Sequence, residues 1–185
     1  MTDTDAHAVQ FRGDHNCWLD GITSALNRAV RRGDTVASVL TASNRDALAV
    51  RMRERGWNLA ELEERGRYLV FDAEETATEV MRGSIVDSDA IAGMDAALQS
   101  ARTASGASHL TIVGEIASVL WRRGSPDAAL EVERLWTELT RALPILTICT
   151  YPTPTDAFDH DLAPGVLSGI CAHHSVISHA GDWRA

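Results

Sequence analysis

An imidazole and a thiol stand two residues apart near the start of the chain, His15 and Cys17, with Trp18 directly after them. On an extended backbone such a pair points to one face, which gives it the reach for nucleophile pairing or for joint ligation of a soft metal. Three further places carry useful groups. Glu115 could act as a general base with Cys17 or His15 as its partner; Cys149 and Tyr151 stand two apart; and Cys171-Ala172-His173-His174 joins a thiol to two imidazoles. Each also has a plainer use. Cys149, between Ile148 and Thr150, reads as a small core residue, as does Cys171, and Glu115 reads as a carboxylate at a helix start. His15 could bond a neighbouring backbone group, and Trp121 and Trp136 fall at core positions of helices. The spacing of Cys171, His173 and His174 matches no compact zinc signature, so neither a metal nor a cofactor is expected.

Positioning such groups requires a frame, and the hydrophobic pattern predicts one. Strands are expected over 14–19, 35–40, 67–71, 109–113 and 145–150. Helices are expected over 21–32, 45–55, 58–65, from 72 onward, over 89–103, 116–123 and 126–143, and from 164. Local signals mark the boundaries: Gly33 closes the first helix, Asp72 with Glu74 and Glu75 suits a helix start, and Ser125-Pro126 opens another. Strands alternating with long helices imply right-handed βαβ units, hence an α/β three-layer sandwich around a mostly parallel sheet. Ligands of such sheets bind at the carboxyl ends of the strands. His15, Cys17, Trp18, Glu115 and Tyr151 are expected there, with His173 closing the last helix. His15, Glu115 and Tyr151 should share one cavity under a lid formed by 152–164, the one long loop-like segment.

Charge and composition narrow the partners. The 185 residues carry a net charge of −9, which repels phosphate backbones and anionic headgroups, so neither nucleic acid nor a membrane is an expected direct partner. All 17 basic residues are arginine, so phosphate-loop and Schiff-base lysines are excluded. No GxGxxG, GxxxxGKS or GxSxG follows a strand. Three scattered cysteines and a polar N-terminus without an apolar run fit a reducing cytoplasm.

Several segments, in this order, resemble the MEDS family of sensory domains. They are Gly13-Asp14-His15-Asn16-Cys17, Phe71-Asp72-Ala73-Glu74-Glu75-Thr76, Gly114-Glu115-Ile116 through Trp121-Arg122-Arg123-Gly124, Ala129-Leu130 through Leu135-Trp136, Cys149-Thr150-Tyr151-Pro152 and Cys171-Ala172-His173-His174-Ser175. The resemblance implies a RecA/KaiC-like fold with a degenerate phosphate loop, and the sensing of a small molecule. It implies a regulatory protein partner such as a kinase, anti-sigma or transcriptional module. It carries the family's polar positions onto His15, Glu115, Tyr151 and His173. Trp18 departs from the smaller residues common in relatives. The expected organisation is a flexible 1–12, a sensory domain over 13–179 and a tail over 180–185, with homo-oligomerisation open. Two other readings stay open at this point: a hydrolase or transferase using Glu115 with His15 or Cys17, and a ligand-free scaffold in an anti-sigma pathway.

Overall fold

The computed structural model describes residues 6–12, 15–152 and 164–179, so 153–163 of the expected lid lie outside the described residues. In chain order the elements are β1 (Ala6–Arg12), α1 (His15–Arg32), β2 (Thr35–Leu40), α2 (Ala42–Glu54), α3 (Leu59–Glu64), β3 (Tyr68–Asp72), α4 (Ala73–Glu79), β4 (Met81–Arg82), β5 (Ile85–Val86), α5 (Ser88–Ala104), β6 (Leu110–Gly114), α6 (Ile116–Arg122), α7 (Pro126–Thr140), β7 (Ile145–Pro152), α8 (Pro164–Ala172) and β8 (Val176–His179).

Six strands form one sheet in the order β3-β2-β6-β7-β1-β8, and every neighbouring pair is parallel. Side chains alternate across it. Val36, Leu40, Val113, Leu146 and Ile148 pack under α1, α2 and α3. Val9, Phe11, Ala37, Val39, Leu110, Ile112 and Tyr151 pack against α4 to α8. The expected three-layer α/β sandwich is therefore present.

The start of the chain differs from expectation. Residues 14–19 do not make the first strand: the helix begins at His15, and Trp18, Leu19, Ile22, Ala25, Leu26, Ala29 and Val30 form one buried stripe at helical spacing. The strand is instead Ala6–Arg12, within the segment expected to be flexible, held between β7 and β8 with Val9 opposite both Cys149 and Ile177. Gly13 therefore follows the first strand. Only two residues separate β1 from α1, too few for a GxxxxGK phosphate cradle. Two other elements go beyond the pattern: the β4–β5 hairpin, turned at Gly83 with φ 67°, and β8.

Several boundaries follow from capping. The Asp72 carboxylate accepts from the Glu74 and Glu75 amides at 2.9 and 3.2 Å, Asp87 caps α5, and Pro126 opens α7 where its missing N–H costs nothing.

Candidate functional site

Glu115 follows the last residue of β6 and is 2% exposed. Its backbone N–H donates to the Val39 carbonyl at 2.9 Å, which holds the residue between β6 and β2. The carboxylate accepts from the Thr41 amide at 2.9 Å, the Thr41 hydroxyl at 3.2 Å and the Asn44 side-chain amide at 2.7 Å. Thr41 caps α2 without a side-chain bond to that helix, because its hydroxyl serves Glu115. The negative charge thus lies at the N-terminus of α2, where the helix dipole favours it.

The first turn of α1 holds the next three expected residues. His15 and Cys17 are exposed, and two residues apart on a helix they do not share a face. Trp18 is fully buried beneath α1, with the His15 ring 5.3 Å from its own. Tyr151 is buried on the opposite face of the sheet, and its hydroxyl donates to Glu133. His173 is half-buried after α8, and its carbonyl accepts from Thr137 at 3.2 Å. Among the described contacts, one joins two of these residues, His15 with Trp18.

The side chains that do converge are mostly others. His7 of β1, Glu133 of α7, Cys149 of β7 and His174 after α8 place one ligand atom each within 4.8 Å of one another; Cys149 is half-buried and the other three are buried. His7 Nε2 lies 3.2 Å from Cys149 Sγ and 3.2 Å from Glu133 Oε2. His174 Nε2 lies 3.4 Å from the same oxygen, as does Cys149 Sγ, and Tyr151 binds the other carboxylate oxygen, Oε1, at 2.5 Å. Local structure explains the convergence. His7 shares its strand face with Val9 and Phe11, and Cys149 its face with Tyr151, toward α7; Glu133 sits in the buried stripe of α7 between Val132 and Trp136, and the Ser175 amide donates to the His7 carbonyl at 2.8 Å, pinning the segment that carries His174.

Burial is the largest influence on Glu133 and pushes its carboxyl upward, but contacts from His174 and His7 together outweigh it and hold the carboxyl far below the carboxylate range. Burial and then the Glu133 charge push the Cys149 thiol and the Tyr151 phenol well up. The group therefore rests as a carboxylate facing a thiol and a phenol.

Beside it lies a cavity of about 40 Å³ between the sheet and helices α5, α6 and α7. Val39, Leu98, Ile112, Ala117 and Val132 make its apolar wall; Glu133, Cys149 and Tyr151 line its polar end. Ser118 also lines it, with a buried hydroxyl that has no hydrogen-bond partner among the described residues. Of the six expected ligand contacts, Tyr151 alone lines this cavity.

A six-stranded parallel sheet in the order β3-β2-β6-β7-β1-β8 with helices on both faces is an open α/β fold. A solved structure of a KaiC-like protein from the hyperthermophilic archaeon Pyrococcus horikoshii matches with a TM-score of 0.50 at 16% identity, covering 80% of this chain and 62% of that one. The likeness is one of fold. The family model of the MEDS domain, the methanogen/methylotroph, DcmR sensory domain, matches residues 6–174, and the chain belongs to that family. Its general role is therefore sensory. No curated protein matches the sequence.

His7 and Glu133 escape the sequence reading, though each leaves a trace. Glu133 is a charged residue in the apolar stripe of a helix, and His7 alternates with Val9 and Phe11 on a strand that is visible only once its polar members are allowed to be buried.

Proposed function

We propose that this sensory domain receives a molecule of only a few heavy atoms in the cavity between the sheet and α5 to α7, and transmits its presence to a regulatory protein partner in the cytoplasm. The observation that carries this reading is the cavity itself. Its volume of about 40 Å³ is roughly three times the minimum that admits one water, its wall is apolar, and its polar groups are few: the unpaired Ser118 hydroxyl and the Glu133, Cys149 and Tyr151 end. Small-molecule sites have this composition. A buried hydroxyl without a partner costs about 1–3 kcal/mol, which a ligand bearing an acceptor would recover. Ligand contact with Val132 and Glu133 would bear directly on α7, whose position relative to β7 offers a route from occupancy to surface. No helix among the described residues is long and apolar enough to cross a membrane.

The test is a titration of ¹⁵N-labelled protein with xenon and with one- and two-carbon alcohols and halides, followed by amide shifts. Shifts centred on Ala117, Ser118, Val132 and Tyr151 are expected, and Ala117→Leu, which fills the cavity, should abolish them. Binding mapped to the carboxyl ends of the strands around His15 and Glu115, or binding that survives Ala117→Leu, sinks this reading.

A further inference from the structure

We propose that His7, Glu133, Cys149 and His174 form a tetrahedral binding site for a divalent transition ion, zinc above all. The inference concerns the donor group alone and stands whether or not the neighbouring cavity binds a small molecule.

The spacing is the first argument. Nitrogen-donor hydrogen bonds to a carboxylate run to about 2.7–2.9 Å when charge-assisted, yet His7 and His174 stand at 3.2 and 3.4 Å from Glu133 Oε2, with the Cys149 thiol on the same oxygen at 3.4 Å, an ordinary distance for sulfur. Those separations suit the edges of a metal tetrahedron: bonds of about 2.0 Å to nitrogen and oxygen and about 2.3 Å to sulfur put the ligand atoms roughly 3.3–3.6 Å apart. The His7 Nε2 to Cys149 Sγ separation of 3.2 Å is slightly short of that edge.

The second argument is where the protons are. His174 Nδ1 lies 2.6 Å from the Ile170 carbonyl, which can only accept, so Nδ1 carries the hydrogen and neutral His174 presents a bare lone pair at Nε2. That Nε2 has no hydrogen-bond partner, although its ion-pair distance to Glu133 is 3.4 Å; the missing bond is what two facing acceptors produce. His7 is oriented in the same way. The Thr137 hydroxyl spends its hydrogen on the carbonyls of Glu133 and His173, at 2.7 and 3.2 Å, so it accepts from His7 Nδ1 at 2.9 Å and leaves His7 Nε2 bare. Two imidazoles thus hold Nε2 within 3.2 and 3.4 Å of Glu133 Oε2 with the opposite N–H tied to the protein, the second-sphere support that ligating histidines have. Tyr151 occupies Oε1, so Glu133 offers Oε2 alone.

Charge and access agree. A thiolate and a carboxylate balance a dication in a buried site, whereas the thiolate beside Glu133 is otherwise unfavourable. Ligation exchanges the Cys149 S–H proton for the metal, and that proton leaves to solvent. His7 lines an open groove of about 350 Å³ together with Thr137, Arg141, His173 and Ser175, which gives an ion a way in. Two imidazoles, a thiolate and a carboxylate favour zinc over hard ions such as magnesium or calcium.

The experiment uses the untagged full chain, stripped with a chelator and titrated with cobalt(II) and then zinc. One cobalt per chain is expected, with the intense visible bands of tetrahedral geometry and a thiolate charge-transfer band, displaced by zinc. Cys149→Ser should remove the charge-transfer band and Cys17→Ser should keep it. Thr137→Val, which removes the His7 support together with the hydroxyl's bonds to the Glu133 and His173 carbonyls, should weaken zinc about 10–100-fold. X-ray absorption of zinc-loaded wild type needs no variant and should find one sulfur among four ligands. Failure of the folded wild type to take up one ion, no sulfur or more than one, or a charge-transfer band that survives Cys149→Ser, each overturns the site.

Discussion

Glu115 and Glu133 are both almost wholly buried, 2% and 1% exposed, yet their described partners are of opposite kinds. Glu115 is held by a backbone amide, a hydroxyl and a carboxamide, groups that stay neutral and stay put. Glu133 is held by two imidazoles, a thiol and a phenol, groups that can ligate or change their protonation. The first carboxylate joins β6 to the start of α2 and acts as a pin. The second joins β1, α7, β7 and the segment after α8, and it borders a cavity. A buried carboxylate is therefore informative about function through what surrounds it, and the one expected from the sequence is the pin.

The largest effect should come from the second group. Glu133→Ala, in chelator, leaves a thiol and a phenol without their shared acceptor carboxylate and opens a hole between two buried imidazoles, and should cost about 3–5 kcal/mol in urea unfolding, the usual result of removing one partner from a buried charged group. A loss below about 1 kcal/mol would erase the distinction drawn above. Tyr151→Phe removes only the bond to Oε1 and should cost about 1.5–3 kcal/mol; cobalt should still bind, in altered geometry, because the second carboxylate oxygen is released.

Glu115→Ala should cost about 1–3 kcal/mol by the same measurement, while leaving the cobalt spectrum and the xenon shifts unchanged. If the cobalt spectrum changes instead, the two carboxylates belong to one site. The smallest effect is a gain. Gln10 lies on the α1 side of β1, fully buried, with neither amide atom hydrogen-bonded among the described residues. Gln10→Met should add about 1 kcal/mol and raise Tm by roughly 2–4 °C, and a loss of stability would point to a polar role for the amide.

Most of the frame was legible because its signals are local: Asp72 as a cap, Ser125-Pro126 at a helix start, and the apolar runs of β2, β3, β6 and β7. The first strand was not. His7 and Gln10 interrupt its apolar pattern, while Trp18 and Leu19 give the first turn of α1 the look of a strand. Tyr151 and His174 were noticed among the polar groups, and Cys149 was read as core, but Glu133 and His7 gained meaning only from contacts 16 and 142 residues distant from Cys149. Local pattern cannot supply such pairings, and a ligating residue in a core position weakens the very periodicity that would reveal its element.

The seat of β1 also has a temporal side. Both its neighbours, β7 and β8, lie beyond residue 144, so during synthesis this strand leaves the ribosome long before either strand it pairs with. Such long-range pairing is slow and leaves an unpaired apolar strand waiting. Stalled chains ending at residue 144 should stay sensitive to protease at residues 6–12, and chains extended through residue 179 should not. An interior strand made well before both its neighbours ties completion of the sheet, and with it the meeting of His7 with Cys149, to the synthesis of the residues beyond 144.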